Sequence, residues 1–94
     1  MAANRARGEV AATLAGRSRR LCLTLGALAE LETAFAAEGW EVLADRLRGL
    51  SAGDLTTVLA ALLRGGGEDP GDLSGVALGE AAQAVAAAFT AAGS

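Results

Sequence analysis

The hydrophobic period of this chain changes once, near Leu25, and the change confines it to a small set of folds. Before that point Val10, Ala12 and Leu14 alternate with their neighbours, and Leu21, Leu23 and Leu25 repeat the pattern. A repeat of two places one set of side chains on one face of a strand. Between the runs stands Ala15-Gly16-Arg17-Ser18, where Gly16 accepts a positive φ at little cost. A tight antiparallel hairpin over residues 9 to 25 is therefore expected. Arg19 and Cys22 do not declare which face they take. Two strands alone are marginal in water, so the leucine face needs cover from the segments that follow.

After Leu25 the period is that of a helix. Leu28, Leu31 and Phe35 recur at steps of three and four, while Glu30, Glu32 and Glu38 fall on other faces. Thr24 suits the N-cap and Gly39 the C-terminal stop, which predicts a helix over 26–37. Trp40, Val42, Leu43 and Leu47 support a short second helix ending near Gly49. Ser51 with Asp54 forms a capping pattern ahead of Leu55, Val58, Leu59, Leu62 and Leu63, a broad stripe on a third helix. That helix should stop at Gly65-Gly66-Gly67, and residues 65–75 read as an acidic Gly-rich loop carrying Glu68, Asp69 and Asp72 around Pro70. Residues 78–92 are nearly all alanine, a strong helix former, with Val85 and Phe89 one turn apart. A helix with so little charge is either buried in its own domain or docked on a partner, and the partner reading is preferred. The fold class is thus mostly α (α+β): an N-terminal β-hairpin packed on a small bundle of three to four helices, with Leu31, Phe35, Leu59 and Leu62 in the core.

Composition limits what such a body can do. The chain has 94 residues, enough for a single domain over 1–94 with one modest core. Its hydrophobic fraction is 52%, but alanine is the commonest member and removes little surface from water. Histidine is absent and Cys22 is the single cysteine, which excludes an internal disulfide, the usual zinc sites and histidine-based nucleophilic triads. No catalytic residue, cofactor-binding residue or metal ligand is expected, and the chain reads as a non-enzyme. It lacks an N-terminal apolar leader and any run of eighteen apolar residues, so a cytoplasmic protein with no membrane segment is expected.

Charge is unevenly placed. Residues 1–20 hold five arginines against Glu9 alone, a net +4, and the rest of the chain holds three arginines against ten acidic residues, a net −7. Residues 1–8 read as a flexible basic N-terminus. A basic end on an acidic body suits the orientation of a protein partner. Nucleic acid would ask for a broad basic patch with aromatic platforms, and tyrosine is absent, so no nucleic-acid partner is expected. Arg19, Arg20, Val85 and Phe89 are the candidate partner-binding residues. Self-association into a homo-oligomer stays open.

The remaining motifs have plainer readings. The triple glycine is followed by no lysine and hydroxyl of the phosphate-loop kind and reads as a linker. Glu68, Asp69 and Asp72 lack the spacing of a calcium loop and read as solvated charges. Glu30 and Glu32, two apart on a helix, do not face each other. Cys22, in an apolar strand without an activating group, reads as a structural thiol.

The stretch Asn4-Arg5-Ala6-Arg7-Gly8-Glu9-Val10, then Leu21-Cys22-Leu23-Thr24-Leu25-Gly26-Ala27-Leu28-Ala29-Glu30-Leu31-Glu32, resembles the tail protein family of alphaproteobacterial gene transfer agents, related to phage tail assembly chaperones. The resemblance continues through Leu62-Leu63-Arg64-Gly65-Gly66-Gly67. Members of that family carry two labels, tail tube protein and tail assembly chaperone. The resemblance implies, in the second case, a protein that coats the apolar tape measure protein and recruits tail tube protein to it. A tube subunit generally needs a large sheet to line a channel, and this sequence supplies one hairpin, which favours the chaperone. A structural tail component, or a small regulatory binding module unrelated to tails, are the alternatives.

Overall fold

The computed structural model describes residues 8–47 and 49–93, the side chains of Trp40 and Ala44 excepted. All but Gly8 of the expected basic N-terminal segment, and the expected contribution of the Trp40 ring, therefore lie outside the described residues. The elements run β1 (Glu9–Leu14), β2 (Arg17–Cys22), α1 (Leu25–Ala34), α2 (Trp40–Leu47), α3 (Ala52–Gly65) and α4 (Leu78–Ala92). A hairpin followed by helices is the expected architecture, and of the three to four helices expected the structure has four.

Ala15 and Gly16 have φ of 52° and 81°, the pair of positive angles that defines the two-residue turn matching strand twist. So short a turn lets β2 begin at Arg17, two residues ahead of the expected alternating run. The strands pair antiparallel with Val10 opposite Leu21, Ala12 opposite Arg19 and Leu14 opposite Arg17. Leu14 and Leu21 are fully buried, and Val10 and Ala12 pack against the same core. On the other face Glu9 stands opposite Cys22, and both are buried.

Leu25, expected on the strand face with Leu21 and Leu23, is instead the first residue of α1 and is 85% exposed. The Thr24 hydroxyl accepts from the amide of Ala27 at 3.1 Å, so the helix starts before the leucine can turn inward. At its far end α1 stops at Ala34 and not at Ala37. Ala36 takes φ of 50° and the Ala37 amide donates to the Glu32 carbonyl at 2.9 Å, the six-residue closure of a left-handed cap. Gly39, expected as that stop, opens α2, its carbonyl accepting from the amide of Leu43. Phe35 lies past the last turn and is half-buried, whereas Leu31, Leu59 and Leu62 are fully enclosed.

The central element is α3. The Ser51 hydroxyl accepts from the amide of Asp54 at 3.1 Å, and Val58, Leu59, Ala61, Leu62 and Leu63 are buried against α1, β2 and α4. Its C-terminal end meets β2 backbone to backbone. A Cβ on Gly65 would overlap the carbonyl oxygen of Cys22, and one on Gly66 would overlap that of Arg20. The glycines expected to act only as a linker are thus a packing surface: bare backbone is what allows the helix end to reach the strand. α4 packs on both β1 and α3, and its Ala81, Ala84, Val85 and Ala88 are buried. Glu80 Oε1 accepts from the turn amide of Ala15 at 3.1 Å, which ties the start of α4 to the hairpin.

Candidate partner-binding surface

The loop after α3 returns along the edge of β2. Glu68 accepts from Arg19 Nε at 2.5 Å through one carboxylate oxygen and from the Arg20 amide at 3.1 Å through the other, and Arg19 Nη2 donates to the Asp69 carbonyl. Glu68, expected as a solvated loop charge, is therefore committed to an internal ion pair with little exposure on either side. The Arg19 guanidinium, and after it the Arg20 amide, hold the carboxyl below the ordinary glutamate range, against the opposing effect of burial. Asp69 and Asp72 accept from the amides of Gly71 and Ser74, closing short turns in the loop, and the bond from Ser74 holds Asp72 below its usual value. Among the described residues no three such side chains converge as metal ligands.

Of the four candidate partner-binding residues, Arg19 is 8% exposed and turned to Glu68. Arg20 is half-buried, with its Nε lacking a hydrogen-bond partner among the described residues. Val85 is buried between α4 and the core. Phe89, one turn on, is half-buried and lines an apolar groove with Leu23, Leu25, Leu28 and Ala92, in which Arg19 and Arg20 take no part. The structure thus separates the arginines from Phe89 and gives Phe89 new neighbours. Sequence reasoning missed Leu25 as the rim of this groove. The available signal was its place directly after the capping Thr24, on a turn of α1 that precedes the turns packed on α3.

Two further features bear on contacts. Leu78, at the start of α4, is 69% exposed and borders a second apolar depression with Leu55, Leu73 and Val76. Arg64 on α3 pairs with Glu30 on α1 through its Nε and Nη2, and that hydrogen bonding raises the Arg64 pKa. The pair is exposed and contributes little to stability. Among the described residues no helix is long and apolar enough to cross a membrane.

No curated protein and no solved structure matches the chain. A family model described as phage tail tube protein, GTA-gp10, matches residues 7–93, which spans both strands, all four helices and the glycine-rich junction. The hairpin, its helical cover and that match together make the chain a member of this tail protein family of phages and gene transfer agents.

Proposed function

We propose that the chain is a non-catalytic tail assembly chaperone that holds an apolar helix of the tape measure protein and brings tail tube subunits to it. The observation that carries this reading is the groove between the start of α1 and the end of α4, where Leu25 projects beside Leu28 and Phe89. An exposed leucine next to a half-buried aromatic ring is the arrangement by which an amphipathic helix is gripped, and such anchors commonly dominate binding. The small sheet supports the same reading, since two strands provide no channel lining. The test is co-expression with the tape measure and tube proteins followed by affinity capture and calorimetry. Leu25→Glu should abolish capture without altering circular dichroism, and unchanged affinity in that folded variant would remove the groove from the binding surface.

A structural role in the particle is the second reading, favoured by the family's description as a tube protein. Quantifying the chain in purified particles separates the two. Ring stoichiometry supports the structural subunit, and absence from finished particles supports the chaperone.

A further inference from the structure

The two edges of the hairpin are treated differently. In a hairpin with a two-residue turn the residues flanking the turn exchange ladder bonds, and the next pair points its backbone groups outward. Leu14 and Arg17 flank this turn, so Glu9, Ala11 and Thr13 on β1, and Ser18, Arg20 and Cys22 on β2, direct their amides and carbonyls away from the ladder. The β2 side bears this out: the Arg20 amide reaches Glu68, and the carbonyls of Arg20 and Cys22 face Gly66 and Gly65. That edge is closed by the chain's own backbone and by one carboxylate.

The β1 edge has no such cover at its centre. Ala11 and Thr13 are exposed, and among the described residues their outward amides and carbonyls meet no partner. Proteins usually guard an open edge with lysine, proline, a bulge or an inward charge. β1 has none of these between Val10 and Leu14, whereas the edge that is already closed carries Arg17, Arg19 and Arg20.

We infer that the outer edge of β1 pairs antiparallel with the β1 edge of a second copy, joining two hairpins into one four-stranded sheet. The sequence is self-complementary for this. A two-fold axis at Ala12 sets Ala11 opposite Thr13 twice, so each pair exchanges both backbone hydrogen bonds. On the exposed face these side chains are small and uncharged, and the same register places each Glu9 opposite an Ala15, which keeps the two carboxylates at opposite ends. The inference does not depend on the apolar groove, which lies between α1 and α4.

The experiment is sedimentation velocity over a concentration series, with amide exchange measured on the same samples. The 9.3 kDa chain should double in mass as concentration rises, and the amides of Ala11 and Thr13 should become protected in step. Ala11→Pro removes one outward donor without touching the ladder inside the hairpin, and Thr13→Lys adds a guarding charge. Both should remain monomeric, with the ladder amides of Ala12 and Arg19 still protected as evidence of an intact hairpin. The inference is overturned if the parent stays monomeric at every concentration, or if it dimerises while the Ala11 and Thr13 amides exchange freely. Protection of these amides only when a tail partner is added would equally overturn it, assigning the edge to another chain.

Discussion

A methyl group at Gly65 would overlap the carbonyl oxygen of Cys22, and both atoms belong to backbone held in regular structure, so neither can yield cheaply. Gly65→Ala should therefore cost about 3 kcal/mol or more, at the upper end of what overpacking exacts. Gly75→Ala, at a position with open space around it, should be close to neutral in the same denaturant melts. Equal effects would mean that the junction relaxes. The opposite sign is expected at Ala15, which holds φ of 52° in a turn that favours asparagine or glycine. Ala15→Asn should raise stability by about 0.5 to 1 kcal/mol. Residue patterns in the sequence located both sites but misread the first. A run of glycines looks the same whether it relaxes a loop or lets two backbones touch, because what distinguishes the cases is a strand more than forty residues away.

Glu68 ties the loop after α3 to β2, and its effect depends on protonation. Its pKa is lowered in the fold, so the stabilisation is complete above the ordinary glutamate value of 4.5 and is lost as pH falls through the lower, folded-state value. Glu68→Gln should flatten the acid limb of a stability-versus-pH profile and leave the neutral region with a constant deficit. A profile with the parent's acid limb would show that the pair does not form in solution. On α4 the two candidate residues should part company. Val85→Asp buries a charge without a partner and should unfold the domain, whereas Phe89→Ala, at a half-buried position, should leave the circular dichroism spectrum intact. Element starts were legible because a cap is a local affair: Thr24 and Ser51 accept from amides three residues on. The end of α1 was not, because an alanine took the left-handed position that sequence assigns to glycine.

Across the whole molecule the smallest extent is 19 Å, room for two layers, and α3 lies at the middle of them with the hairpin, α1 and α4 around it. α2 is the least embedded helix: Leu43 is buried and Leu47 half-buried, while Val42 faces solvent. Its amides should exchange fastest among the four helices, and protection equal to that of α3 would refute this ranking. The hydrophobic periods were enough to give the order and kind of elements, with the helix number left at three to four. They did not give the groove at Leu25 or the closed edge of β2, since both arise where segments remote in sequence meet.

That remoteness has a consequence for a chain made from its N-terminus on a ribosome. The hairpin is complete by Cys22, yet its turn is tied down by Glu80, its first strand by α4, and its second by Gly65 and Glu68. Every one of these partners is synthesised later. A nascent chain that stops before α4 has α3 on β2 but lacks the cover of β1, and that bare strand is a target for proteolysis and chaperone capture. The hairpin thus becomes secure only once α4 has been made.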